Sequence, residues 1–368
     1  MSVPSASPIR RLLDFGQSPW YDNLTRDLVH GGGLARLVED DGIRGVTSNP
    51  TIFEKAMGGG EGYDEQLVAL HREGRPIEAI YWELVLDDIR AAADVLRPTY
   101  DELDGADGFV SVEVSPELAH DTDATVEQAR LLHDRADRVN VLVKIPATAA
   151  GVPAIEESLA QGININVTLI FSLARHDEVI EAYLRGLERF AATGGDLSRM
   201  ASVASFFVSR VDTEADRRLP AGHALRGTVA VANAKLAYRL FEQRFRGERW
   251  DALAARGARV QRPLWASTST KNPDYSDTLY VDELVGPDTV NTLAQASIDA
   301  LHNHGDPQAA TVTRDVDGAQ RVLDDLQAAG VDYDDLTETL EREGVDSFAR
   351  SYQDCLATLE KRAAELTS

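Results

Sequence analysis

Lysine is scarce in this sequence: Lys55, Lys144, Lys235, Lys271 and Lys361 are the five, so 32 of the 37 basic residues are arginine. Of the five, only Lys144 stands in a wholly apolar run, within VNVLVKIPAT. Burying an ammonium there is costly unless the amine sheds its proton or a partner holds it. A neutral amine in that position attacks a ketone, and the protonated imine then accepts the electrons released when a neighbouring carbon–carbon bond breaks. The competing account is a lysine buried against a carboxylate for packing alone, and on the isolated strand the two stand level. No other residue matches Lys144 as a nucleophile, because the sequence has no G-x-S-x-G turn and the single cysteine, Cys355, lies in a helical tail.

Something must hold that lysine in place. Short β-branched runs occur at 42–49, 108–114, 139–145, 163–171, 202–208 and 262–268, each compact enough for a strand. Between them lie helical periods at 77–96, 126–137 and 174–192. Alternating strand and helix implies parallel strands, in either a closed barrel or an open doubly wound sheet. Asn49, Glu113, Lys144, Thr168 and Ser205 all fall near the C-terminal ends of their strands, which in a barrel converge on one mouth. The expectation is therefore an α/β fold, a single (β/α)8 TIM-type barrel over 1–304. It carries a helical insertion after a late strand at about 212–261, and a helical C-terminal extension over 305–368 packs on the barrel as a closure or arm. The strand ahead of Asp22 is obscured by Pro19.

Composition bounds the partners. A formal charge of −24 disfavours binding to nucleic acid or to anionic membranes, while a small phosphorylated ligand needs only a few placed cations. One cysteine allows no intrachain disulfide, MSVPSASPIR has no apolar signal-type segment, and no apolar run is long enough to span a bilayer. A cytoplasmic location is expected. The runs Gly31-Gly32-Gly33 and Gly58-Gly59-Gly60 lack the Lys-Ser/Thr of a phosphate loop and read as connections. His302 and His304, near Asp299 and Asp306, lack a third anchored ligand, so no metal is expected.

Two segments carry a family resemblance. DGIRGVTSNPTIFEKAM, with Thr47, Ser48, Asn49 and Pro50, resembles the first hallmark of the transaldolase family, and VLVKIPATAAGVPAIE resembles the second, the strand of the Schiff-base lysine. Similarity continues through NVTLIFS, ASFFVSRVDTEAD and WASTSTKNPDYSDTLYVDELVGPDTVNT, covering most of 17–302 and running closest to the longer bacterial members. The resemblance implies that Lys144 forms the imine with a ketose phosphate and that Asp22 takes the proton of the hydroxyl lost as an aldehyde. Glu113 and Thr168 would position a proton-shuttling water, and Asn49 and Asn166 would bind substrate hydroxyls. It implies Ser205 and Arg210 at the phosphate. Where shorter relatives place an arginine after Ala-Ser, this chain reads ASTSTKNP, so Lys271 or the hydroxyls of Ser267 and Ser269 take its place. No external cofactor is implied, since the imine is the electron sink.

The residues themselves leave alternatives. Asp22 stands where an aspartate also caps helices, with Asp14 and Asp27 nearby. Thr168 and Asn166 share a strand face, as two site residues must and two solvent residues also do. A Schiff-base aldolase releasing free dihydroxyacetone and a barrel retained only for binding are the rival functions. Oligomeric state is open.

Overall fold

The computed structural model describes residues 7–59 and 62–367. The first six residues, most of the terminus read as lacking a signal segment, and Gly60 of the second glycine run lie outside them. Eight parallel strands each pair with their sequence neighbours, and the first pairs with the last to close a barrel. They are β1 (Gln17–Tyr21), β2 (Gly45–Val46), β3 (Phe109–Glu113), β4 (Val141–Pro146), β5 (Ile165–Ile170), β6 (Ser202–Phe207), β7 (Arg262–Ala266) and β8 (Thr289–Leu293). All but Arg262 are buried at every position, because helices cover the outside and side chains fill the inside.

The departures from expectation have physical causes. The run 42–49 shrinks to Gly45–Val46: a Cβ on Gly45 would lie 2.3 Å from Trp20 Cδ2, so this strand exists only by yielding room to that indole. Asn49 leaves the strand to cap helix Pro50–Gly58, its side chain accepting from the Ile52 N–H at 3.0 Å. Pro19 sits inside β1 opposite Asn291 of β8. Its carbonyl accepts from Arg44 N, so the donor it lacks would face the β2 side, where the neighbouring strand is only two residues long. The helix expected to stop at 96 runs through Pro98 to Glu102 and buries Tyr100 edge-on against Phe109, centroids 5.5 Å apart.

Three helices, Ser209–Arg218, Val229–Arg244 and Glu248–Ala254, lie between β6 and β7. After β8 the chain forms Gln295–His304, Val316–Ala328 and the 35-residue helix Tyr333–Thr367. This last helix lies across the C-terminal mouth of the barrel. Arg218 holds Asp335 near its start, and farther along Tyr352 donates to Glu78 at 3.0 Å, Cys355 Sγ meets Met57 Sδ at 3.7 Å and Arg362 pairs with Asp64. Among the described residues no helix is long and apolar enough to cross a membrane.

Candidate active site

A cavity of about 330 Å³ opens at the C-terminal ends of the strands, under helix Tyr333–Thr367. Lys144 reaches it from β4 and is only 5% exposed. Its Nζ donates to the Ser48 carbonyl at 3.2 Å and lies 3.1 Å from Glu113 Oε2. Parallel register sets that pairing, since Glu113 on β3 is the direct neighbour of Lys144 on β4. Burial pushes the Glu113 carboxyl up from its ordinary value, while the adjacent Lys144 ammonium pulls it down. Glu113 Oε2 faces the amine without an aligned hydrogen bond, and Thr168 Oγ1 has no hydrogen-bond partner either. Both atoms are buried, so each keeps unused bonding capacity where uncompensated burial is costly.

Asp22 follows β1 and lines the same cavity, held by Thr47 Oγ1, which donates to Asp22 Oδ1 at 2.7 Å. Asn49 lines it from the helix cap. Asn166 sits beneath the lining: its Nδ2 donates to Ser111 Oγ at 2.9 Å, and its Oδ1 accepts from Ser205 Oγ at 2.7 Å. The Ser205 proton is therefore committed to Asn166. Thr168 does reach the lining, one step up from Asn166 on β5. Just beyond it the strand bulges and Leu169 adopts φ 59°, a strained value for a leucine.

Arg210 enters the cavity from the start of helix Ser209–Arg218. Its Cζ lies 5.2 Å from the Phe207 ring and 6.0 Å from the Phe348 ring. Among the described residues it has no hydrogen bond and no ion pair. Burial pulls its guanidinium below the ordinary value, opposed by Asp22, Glu113 and Glu343. Lys271 and Ser269 come from the loop after β7, with Nζ donating to Ser269 Oγ at 3.1 Å. The Lys271 amine is lowered by burial and then by Arg210. Ser267 also lines the cavity and, at φ 57°, turns the chain out of β7.

The chain matches the family model described as transaldolase/fructose-6-phosphate aldolase over residues 19–359. It is 51% identical over 356 residues to a transaldolase of Acidothermus cellulolyticus, covering 96% of each chain. Identity is 50% to a transaldolase of Saccharopolyspora erythraea, over 97% of this chain and 98% of the relative. A transaldolase of Thermobifida fusca is likewise 50% identical, over 98% of this chain and all of the relative.

The chain belongs to the transaldolase/fructose-6-phosphate aldolase family.

Of the eleven residues that the transaldolase resemblance singled out, nine line the cavity: Asp22, Asn49, Lys144, Thr168, Ser205, Arg210, Ser267, Ser269 and Lys271. Glu113 and Asn166 support it from below. Sequence reasoning gave no site role to Lys55, Thr268, Thr292, Ser347 or Phe348, which also line it. Lys55 carried a signal, being a lysine in a lysine-poor chain six residues after Asn49. Phe348 carried none, since one aromatic in a charged helix looks like packing. His302 and His304 do not converge: they meet Asp41 and Asp277 separately, at 2.7 and 2.8 Å.

Proposed function

We propose that the protein transfers a dihydroxyacetone unit from a ketose phosphate to an aldose phosphate through an imine on Lys144. The observation that carries this reading is the buried Lys144 amine, open to the cavity and paired at 3.1 Å with Glu113. The ketose carbonyl adds to Nζ, and loss of water leaves a protonated imine. Glu113 and Thr168, both with spare bonding capacity, suit the water that carries protons in this step and in its reversal. Asp22, with Oδ1 tied to Thr47, keeps Oδ2 for the proton of the hydroxyl at the bond to be broken. Breaking that bond releases an aldose phosphate and leaves an enamine. The enamine carbon then bonds a second aldehyde, whose oxygen takes the proton back from Asp22.

The resemblance names the donors as sedoheptulose 7-phosphate and fructose 6-phosphate, and the acceptors as glyceraldehyde 3-phosphate and erythrose 4-phosphate, the exchange of the non-oxidative pentose phosphate pathway. Arg210, unpaired and open to the cavity, suits their phosphate, with Lys271 and Ser269 beside it. The protein is read as a cytoplasmic enzyme, and its charge of −24 disfavours nucleic acid as a partner. Residues 1–304 are read as the barrel unit and 305–368 as its extension.

Borohydride added with fructose 6-phosphate should fix a three-carbon adduct on Lys144, and Lys144→Ala should abolish both adduct and transfer while staying folded. An adduct on Lys55, Lys235 or Lys271 would refute the assignment. Free dihydroxyacetone formed as fast without erythrose 4-phosphate as transfer with it would make the protein a lyase.

A further inference from the structure

The barrel mouth is the side from which solvent would reach Lys144, and one helix covers it. Of the 35 residues in Tyr333–Thr367, only Ser347 and Phe348 line the cavity. Phe348 lies on an outer helix yet is 3% exposed, because its ring points down into the site. The ring centroid is 5.8 Å from Lys144 Nζ and 6.0 Å from Arg210 Cζ. One ring thus lies within about 6 Å of both the position where the imine forms and the guanidinium assigned to phosphate.

The approach of the helix is itself specified. Gly344, one turn before Phe348, packs so closely that a Cβ there would lie 2.9 Å from Leu169 Cδ2 and 3.6 Å from an Arg210 Nη. Leu169 holds the left-handed backbone noted above, just past Thr168. Ser351, two turns beyond Gly344 and one beyond Ser347, shares a hydrogen bond with Thr51 at 2.8 Å. The helix is therefore seated against β5, Arg210 and helix Pro50–Gly58 at once.

We propose that Phe348 is a specificity-determining residue that biases the enamine toward the aldehyde acceptor and away from water. This rests on the reading of Lys144 as the imine-forming residue. Two fates compete at the enamine. In transfer, its carbon bonds the acceptor carbon and the acceptor oxygen gains a proton. In release, the same carbon takes a proton from water, a second water hydrolyses the carbon–nitrogen bond, and dihydroxyacetone leaves with the Lys144 amine restored. The ring roofs the reacting nitrogen against water, stabilises the protonated imine through its face, and with Phe207 holds Arg210 for the acceptor phosphate.

The experiment measures the ratio of free dihydroxyacetone to transferred product, from fructose 6-phosphate at saturating erythrose 4-phosphate, for the unaltered protein, Phe348→Ala and Phe348→Leu. Borohydride trapping on Lys144 is scored in each. Phe348→Leu retains an apolar side chain and keeps the test alive where Phe348→Ala unfolds. The expected result is an adduct in every folded variant, with the ratio up about tenfold in Phe348→Ala and by a smaller factor in Phe348→Leu, as loss of a desolvated cation–π contact and of cover implies. Adduct formation with an unchanged ratio overturns the role of Phe348 and leaves the imine standing. No adduct in the unaltered protein overturns both.

Discussion

Replacing Arg210 by methionine removes a cation that has no hydrogen bond or ion pair among the described residues, while keeping an unbranched side chain of similar length between Phe207 and Phe348. A charge-assisted hydrogen bond contributes about 1.5–3 kcal/mol, and about 1.4 kcal/mol is a tenfold change, so the Michaelis constant for fructose 6-phosphate should rise about 10- to 150-fold. The phosphate is remote from the bond being broken, so its contact is made equally in ground and transition states, and kcat should change little. Unphosphorylated fructose should lose almost nothing. Stability should hold or increase, since the substitution removes a partly buried charge that has no partner. There is also a pH signature. Burial and then Arg210 hold the Lys271 amine below its ordinary value; without Arg210 the burial remains, so the amine rises part of the way and the alkaline rise in the Michaelis constant should move upward. Steady-state kinetics on both donors and thermal unfolding would measure all of this. Equal impairment on both donors, or a loss of about 3–5 kcal/mol typical of breaking a buried ion pair, would show that Arg210 serves structure instead.

Lys271→Ala should show the same preference pattern at smaller size, because an ammonium is a flexible point charge and Ser267 and Ser269 retain part of the contact; unchanged kinetics would move the phosphate site elsewhere. Asp22→Asn should cut kcat by about 10²–10⁴ while the borohydride adduct still forms, since proton abstraction is lost and imine formation is not; failure to form the adduct would give Asp22 an earlier role. Asp212 is raised to about 6 by burial, despite accepting from Ala230 N and from the Tyr280 hydroxyl. A raised carboxyl favours the fold most below its unfolded value and loses that contribution as pH climbs to about 6. The stability of Asp212→Asn relative to the unaltered protein should therefore improve by about 3 kcal/mol between pH 4 and pH 7, two units at about 1.4 kcal/mol each, as denaturant titrations at the two pH values would show. A flat difference would contradict it.

Much of the candidate site was legible because the chemistry proposed for it calls for unusual residues in conspicuous places. A lysine among valines, a glutamate ending VSVEV and an asparagine before proline are each hard to explain as packing, and parallel register brings Glu113 beside Lys144. The closing strands were harder to see. Pro19 disguises β1, and β8 reads TVNTL, too short and too polar to announce itself, although all five residues are buried. Depth was invisible too: Asn166 and Thr168 share a period-two face, yet only the latter lines the cavity, while the amide of the former is taken up by Ser111 and Ser205. The covering helix was legible as a helix but not as part of the site. Its charged spacing describes the solvent side, and nothing local to Phe348 states what lies beneath it.

The charge distribution leaves room in an acidic protein for the acidic substrate proposed here. At a distance the molecule repels anions, with a formal charge of −24. Many of its arginines are spent on carboxylates, as Arg249 is on Glu181 and Glu188 and Arg189 is on Glu157. The cavity cations follow a different rule. Arg210, Lys55 and Lys271 line one wall and rim, and among the described residues none is bound to a carboxylate. Lys144 does have an acid, but one whose burial opposes its own ionisation. Pairing any of the three with a surface acid would cost little in the fold and would cancel the local field that a phosphate needs. Leaving them unpaired adds mutual repulsion: the Lys271 amine, lowered first by burial, is lowered further by Arg210 and Lys55, and a phosphate bound as proposed would relieve that repulsion. On the proposed reading the substrate phosphate supplies the counter-charge these side chains lack, and Arg210 and Lys271 add binding energy at the phosphate end of the sugar.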